Sequence, residues 1–224
     1  MEDNKKEIQQ DAVIIFAGPS LNATSKLLIQ NLGLHLLPPV QRHDIDALVE
    51  QDFKGTIIIV DGMFREVLAV GHAEIRTAIE KGVQVFGISS MGAIRAYEMR
   101  HLGMKNFGQV YNWFFKMDDF QDDEVSLLHA PAPYYFSISE PLVHCRECVL
   151  DLVATKKLSA ESGEQVIETL KALYFGERTL DLFFSLLAEV SAIDLAALKA
   201  NFDRFRIKQI DLVNFLEQKI WLSA

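Results

Sequence analysis

The sequence predicts an α/β fold, a Rossmann-like parallel sheet with helices on both faces, followed by a C-terminal helical region. Three observations carry it. The runs AVIIFA (Ala12 to Ala17) and TIIIV (Thr56 to Val60) are short, unbroken and apolar, as strands covered on both faces are. Each strand pattern in the first half is followed by a helical one, the order that parallel crossovers need. From about Leu142 onward the periodicity is helical throughout.

Taken in order, Ala12 to Ala17 reads as a strand that ends in the turn Gly18-Pro19-Ser20. Asn22 to Asn31 reads as a helix with Leu27 and Leu28 on its apolar face and Gly33 beyond its end. Leu34 to Leu37 is a second strand, stopped by Pro38-Pro39. Asp44 is placed to cap a helix over Ile45 to Gln51. Thr56 to Val60 is a β-branched strand closed by Asp61-Gly62. A helix over His72 to Lys81 follows, with Ile75, Ala78 and Ile79 inward and Gly82 as its stop. Gln84 to Ile88 is a strand that feeds Ser89-Ser90 and a helix over Met91 to His101.

Residues 104 to 141 are irregular, with an aromatic stretch at Phe107 to Phe115, an acidic one at Asp118 to Glu124, and an ordered loop over Ala130 to Pro141. Five amphipathic stretches occupy 150–158, 164–175, 179–190, 195–206 and 210–220. The expected organisation is a loosely ordered N-terminus over 1–11, an α/β core over 12–145, and a helical region over 146–224.

The formal net charge of -9 and the pI near 5.2 argue against nucleic-acid or membrane-surface partners, since an acidic chain is repelled by phosphate backbones. Two cysteines make no disulfide scaffold. The charged start MEDNKKEIQQ has no apolar core of a signal peptide. A cytoplasmic protein is expected.

Ligands of open parallel sheets bind beyond the carboxyl ends of the strands. Three loops converge there: Gly18-Pro19-Ser20, Asp61-Gly62 and Ser89-Ser90. The stretch GISSMGAIRA (Gly87 to Ala96) is the sharpest feature. A serine between strand and helix projects its hydroxyl at the top of the sheet. The N–H groups of Met91 and Gly92 can hold an anion there, helped by the positive helix end. The pattern resembles a nucleophile elbow, with Ile88 in place of the first glycine of G-x-S-x-G when Ser90 is the nucleophile; the alternative is a serine N-cap. Gly18 and Ser20 can touch a small anion. Arg95 can reach back to an anion or pair with Glu98. His72 can act as a base near Ser90, oriented by Asp61 or Glu74; alternatively Glu74 favours the helix N-terminus and His72 is a surface residue. Asp122-Asp123-Glu124 is either an oxygen-ligand run for Mg²⁺ or a solvated loop or helix start. Cys145 and Cys148 have C-x-x-C spacing without a second pair, which favours two core thiols. There is no Walker A loop and no G-x-G-x-x-G. No metal and no cofactor are expected.

Read together, these segments resemble the TfuA-like family. The stretches that carry the resemblance are Phe16 to Leu21, Pro38 to Arg42 with Asp44-Ile45, Val60-Asp-Gly-Met-Phe64 and His72-Ala-Glu-Ile75. They continue with Phe86 to Ala96 and Glu98, Gly103-Met104, Asp122 to Val125, Ser139 to Val143 and Arg146. Glu177-Arg178 and Lys208 to Asp211 also look familiar. Two positions depart from the pattern: His43 stands where glycine is expected, and Gly71 where a large aromatic is expected. The cysteines are not part of the pattern.

The resemblance implies a role beside a YcaO-family protein, an ATP-dependent enzyme that converts a peptide-bond oxygen site into a thioamide. It implies release of sulfide from a thiocarboxylated ThiS-like sulfur carrier, with the peptide or protein substrate reached through the YcaO partner. In that reaction Ser90 attacks or holds the attacking water. Met91, Gly92 and Arg95 stabilise the oxyanion, and His72 moves the proton, oriented by Glu74 or Asp61. Ser89, Asp122 and Asp123 border the substrate. The alternative is a non-catalytic scaffold that docks on the YcaO enzyme through Phe202, Arg204, Phe205 and Arg206. A nucleotide-binding protein is a third reading.

Overall fold

The computed structural model describes residues 9–63 and 67–223. Most of the N-terminal segment expected to be loose, and Phe64 of the stretch Val60 to Phe64, lie outside the described residues.

Five strands form one parallel sheet in the order β2-β1-β3-β4-β5: β1 (Val13–Phe16), β2 (His35–Leu37), β3 (Thr56–Ile59), β4 (Gln84–Ile88) and β5 (Lys105–Phe107). Registers run Ile14 against His35, Ile14 against Ile57, Ile57 against Val85 and Phe86 against Lys105. The first four strands stand where the apolar runs predict them. The fifth is an addition: Lys-Asn-Phe is too short and too polar to signal a strand, and it is only half-buried at the sheet edge.

The helices between strands are α1 (Ala23–Asn31), α2 (Asp44–Glu50), α3 (His72–Glu80) and α4 (Met91–Glu98). Asn22 caps α1 through a box with Ser25, each side chain accepting the other's backbone N–H. The inward residues of α1 are Ile29 and Leu28, whereas Leu27 faces solvent. Asp44 does not cap α2. It is the first helical residue, and its carboxylate accepts the Gln41 N–H at 2.9 Å. Gly82 ends α3 at φ +90°, as expected of a glycine stop. Helix α4 ends at Glu98, three residues before His101.

Ile14, Ile57, Ile59 and Val85 face one side of the sheet, covered by α2, α3 and α4. Ile15, Ile58, Phe86 and Ile88 face the other. That second face is covered by α1 and by α11 (Ile207–Glu217), through Leu212, Phe215 and Leu216. A fully buried isoleucine contributes about 1.5–3 kcal/mol, against about 0–1 for an exposed ion pair. The sheet residues and their helix partners therefore hold this layer together.

Between β5 and α11 run α5 (Gln109–Trp113), α6 (Asp122–Val125), α7 (Leu142–Ala154), α8 (Ala160–Lys171), α9 (Leu180–Val190) and α10 (Leu195–Ala200). Helices α7 to α10 enclose a second apolar core of Leu142, Cys145, Cys148, Leu170, Phe183 and Phe202, among others. The chain from Leu142 onward thus supplies this second core and also returns α11 to the sheet. No helix among the described residues is long and apolar enough to cross a membrane.

Candidate functional site

Strand order reverses at β1: the chain leaves β1 for β2 on one side, and β3 lies on the other. The loops after β1 and β3 therefore part at the carboxyl edge and open a crevice. Asp61 follows β3 and is buried in that crevice. Its Oδ2 accepts the N–H groups of Gly18 and Ser20, each at 2.9 Å, and its Oδ1 accepts the Ser20 hydroxyl at 2.7 Å. The Gly18-Pro19-Ser20 loop does form an anion cradle, but the anion it holds is the Asp61 carboxylate. Gly18 and Ser20 are not free for an external ligand, and Asp61 ties the β1 loop to the β3 loop.

The turn after β4 is strained. Ser89 has φ +66°, and the Ser90 N–H donates to the Ile88 carbonyl at 2.8 Å, closing a γ-turn around Ser89. A non-glycine residue in this region costs about 1–3 kcal/mol and persists only where the surroundings impose it. Two glycines impose it. A Cβ on Gly92 would collide with the Ile59 carbonyl oxygen, and a Cβ on Gly87 with the Gly92 carbonyl oxygen. Helix α4 thus begins in backbone contact with β3 and β4. Counted from the strained residue, Gly87-Ile88-Ser89 supplies the first glycine of the elbow pattern that is missing when Ser90 is counted as its serine.

Ser89 is fully buried, and its hydroxyl has no hydrogen-bond partner among the described residues. The next residue, Ser90, lines a cavity of about 90 Å³ with Pro19, Asp61, Gly62, His129 and Lys208, among others. The Ser90 hydroxyl makes no hydrogen bond among the described residues; only its backbone groups are engaged, its carbonyl accepting from Ala93 and Ile94. The serine N-cap expectation is thereby decided: Ser90 occupies the N-cap position of α4 without a capping side-chain bond.

Of the two expected oxyanion donors, the structure leaves one. The Gly92 N–H donates to the Val60 carbonyl at 3.2 Å, whereas the Met91 N–H has no bond among the described residues. Helix packing consumes the Gly92 donor, because the glycine that permits close approach also brings Val60 within reach.

The other expected residues are held elsewhere. His72 is half-exposed at the start of α3, and its Nε2 lies 2.7 Å from Glu98 Oε2. It does not line the Ser90 cavity. The same Glu98 oxygen accepts Arg95 Nη1 at 2.6 Å, and Arg95 Nε donates to the Val70 carbonyl at 3.0 Å. Glu74 accepts the N–H of Gly71 at 2.6 Å and that of His43 at 3.0 Å. It caps its own helix and anchors the entry to α2, and it does not orient His72. His43 has φ +74°, which explains the glycine expected at this position. A Cβ on Gly71 would press on the Arg42 guanidinium at 3.0 Å, so the larger residue expected there requires Arg42 to move.

Arg95, Glu98 and Asp122 border a wider groove of about 870 Å³, walled by Tyr97, Phe114 and Phe120. Met63 and Phe175 line both this groove and the small cavity. Asp122 is exposed at the groove, while Asp123 Oδ2 accepts Arg178 Nη2 at 2.6 Å and Glu124 is held by Arg146 through two contacts of 2.8 Å. The acidic run therefore divides among three different surroundings. Among the described residues, no three His, Cys, Asp or Glu side chains converge as a metal-binding group. Both cysteines are buried and free. Burial pushes the Cys145 thiol well above its ordinary value and the Cys148 thiol up to about 12, so both are neutral core thiols. Phe202 and Phe205 are also core residues, Arg206 bonds Glu140 and Arg204 bonds Asp151. Helix packing accounts for the two phenylalanines and Glu140 holds Arg206, while Arg204 remains exposed beside Asp151.

Two cavity residues carry no catalytic signal in the sequence. His129 comes from the irregular segment after α6. Lys208 is the second residue of α11 and is 2% exposed. Its Nζ donates to the Val125 carbonyl at 2.9 Å. The available signal was spacing: Lys208 and Asp211 fall on the same stripe as Ile207, Leu212, Phe215 and Leu216, the buried face of α11.

Comparison with known proteins adds one match. No curated protein matches the chain. A family model described as TfuA-like protein matches residues 61–179, more than half of the 224 residues. The matched span begins at Asp61 and takes in the strained Ser89-Ser90 turn, Arg95, Glu98 and the Asp122 to Glu124 run. On that match, and on the motifs it shares with the sequence, this chain belongs to the TfuA-like family.

Proposed function

We propose that this protein releases sulfide from the thiocarboxylated C-terminus of a ThiS-like sulfur carrier, for use by a YcaO-type enzyme in making a backbone thioamide. The family is associated with YcaO partners in thioamide systems. The observation that carries the hydrolase reading is the Ser90 hydroxyl: unbonded among the described residues, set by a strained turn at the carboxyl edge of the sheet, and lining a small cavity.

The size of the cavity argues for a chain end. Pockets for whole small molecules run to about 300–1,000 Å³, whereas this one is about 90 Å³. It suits a terminal thiocarboxylate and is too small for a nucleotide. The extended tail of a carrier lies in the adjoining groove and enters the cavity between Met63 and Phe175. Ser90 Oγ attacks the thiocarboxylate carbon. The Met91 N–H, at the positive end of α4, stabilises the tetrahedral oxyanion. Hydrosulfide leaves, and water hydrolyses the Ser90 ester to give the carrier carboxylate. Asp61 holds the β1 and β3 loops around the cavity and makes no bond to the reacting group.

The test is a mixture of the purified protein and a thiocarboxylated carrier, without any YcaO partner. Release of sulfide with conversion of the carrier to its carboxylate mass is expected. No release, together with faster thioamidation when the partner and free sulfide are supplied, would overturn the hydrolase reading in favour of a scaffold.

A further inference from the structure

Resting on that reading, we propose that the carrier's C-terminal tail binds as an added β-strand on the open edge of the arm Leu127 to His129, main chain to main chain, which brings its last residue into the Ser90 cavity.

The arm is one side of a hairpin over 127–139. The Ala130 N–H donates to the Phe136 carbonyl at 2.9 Å and the Ile138 N–H to the Leu128 carbonyl at 2.7 Å, with His129 opposite Ser137 in an antiparallel bridge. The Leu128 N–H donates to Ser139 Oγ at 2.8 Å. Leu128 thus commits both of its backbone groups to the hairpin. Along an extended chain the backbone groups of successive residues point to opposite edges, so those of Leu127 and His129 point away from the partner arm. Their two N–H groups and two carbonyls make no hydrogen bond among the described residues.

An open edge can simply face water, and three observations set this one apart. Leu127, Leu128 and His129 line the same cavity as Ser90. Ser126, the preceding residue, lines the wide groove, so the edge leads from the groove into the cavity. Proteins blunt exposed edges with charged side chains or proline, and residues 125–130 contain neither. The size of the cavity, about 90 Å³, leaves a chain end to be recognised by its main chain and not by its side chains. Strand addition supplies that recognition, since its affinity comes from main-chain hydrogen bonds.

The tail enters from the groove, at the Ser126 end, and therefore runs parallel to the arm. In a parallel pair the tail residue beside Leu128 donates its N–H to the Leu127 carbonyl and accepts the His129 N–H. The residue after it is the chain end, beside His129 in the cavity. The His129 imidazole takes no part. The other edge of the hairpin has open backbone groups as well, at Ser137, but Ser137 lines neither the cavity nor the groove.

Proline tests the edge because it removes one N–H, and neither the His129 nor the Ser137 N–H has a bond in the protein to lose. Binding of a fluorescein-labelled carrier in its carboxylate form is measured by anisotropy, and KM and kcat for sulfide release from the thiocarboxylated carrier. His129→Pro is compared with His129→Ala, which lacks the same imidazole and keeps the N–H. Kd and KM are expected to be at least about tenfold higher in His129→Pro than in His129→Ala, with kcat within about threefold. Ser137→Pro is expected to bind within about twofold of native. On native protein, a semisynthetic carrier with an ester oxygen in place of the penultimate N–H is expected to bind at least about fivefold more weakly. Equal binding by His129→Pro and His129→Ala would overturn the edge, and so would an equal loss in Ser137→Pro, which would mark distortion of the hairpin. If His129→Pro does not fold, the ester carrier decides, and unchanged affinity for it would overturn the proposal. Binding that needs the His129 N–H, without sulfide release, would retain the edge and overturn the hydrolase reading. Sulfide release with the same KM in His129→Pro and His129→Ala would do the reverse, and no binding of the carrier to native protein would overturn both.

Discussion

Two groups of polar side chains meet at the carboxyl edge of the sheet, and they differ in what remains unbonded. In the outer group, His72 and Arg95 both end on Glu98, and Glu74 ends on the backbone of Gly71 and His43. In the inner group, the Ser90 hydroxyl and the Met91 N–H have no partner among the described residues, and Lys208 Nζ has one. The outer group is charged and visible to spacing arguments. The inner group contains fewer charges, yet it holds the free hydrogen-bonding capacity in a small cavity. Chemistry needs groups that can still bond a reacting atom, so on the proposed function the inner group would carry the activity and the outer one would shape the groove.

The largest effect that separates the two groups is Ser90→Ala. Loss of the nucleophile is expected to lower sulfide release about 10³-fold or more with the melting temperature nearly unchanged. Asp61→Ala comes next and reads on stability. It leaves the Gly18 and Ser20 N–H groups buried without an acceptor, at a cost of about 3 kcal/mol in urea unfolding. Gly92→Ala forces a methyl against the Ile59 carbonyl. It is expected to cost about 2–3 kcal/mol and to lower activity by moving the Ser90 turn.

Asp211 extends the comparison to a structural acid with a pH signature. Its carboxylate accepts the Gln109 and Val110 N–H groups at 2.8 and 2.9 Å, serving α5 much as Asp61 serves the β1 loop. Burial pushes its carboxyl from the ordinary 3.8 up to about 7, against the pull of those two donors. The folded protein therefore binds this proton more tightly than the unfolded chain. The contribution of Asp211 is fully present below about pH 4 and is lost as pH rises through about 7. In Asp211→Asn the corresponding decline in urea midpoint between pH 4.5 and 7.5 is expected to disappear. The smallest effect is that of His72→Ala. Removing a half-exposed pair costs about 0.5 kcal/mol, and sulfide release is expected to stay within threefold of native.

The fold was legible in the sequence where burial is two-sided. Ile14, Ile15 and Ile57 to Ile59 are apolar because both faces of the sheet are covered, and that pattern needs no tertiary knowledge. Strand β5 was not legible, since an edge strand of Lys105 to Phe107 is polar on one side. The Ser89-Ser90 turn was legible as strand, serine and glycine, but the positive φ falls one residue earlier than the serine that lines the cavity. Lys208 was not legible as a cavity residue from spacing, because nothing local joins it to Ser90; only the resemblance touched it, through the stretch Lys208 to Asp211. Helix α11 brings it back to the sheet after the whole second core has been built. His72 misled for the opposite reason: its position at a helix start was right, but its side chain bonds Glu98 and does not line the cavity.

The central claim is that the reacting group lies in the inner cavity. Its most direct test is sulfide release from a thiocarboxylated carrier by native, Ser90→Ala and His72→Ala proteins side by side, without a YcaO partner. Release by native and His72→Ala at similar rates, with none above background from Ser90→Ala, is the predicted result. Native-rate release by Ser90→Ala, or its loss in His72→Ala, would contradict the assignment.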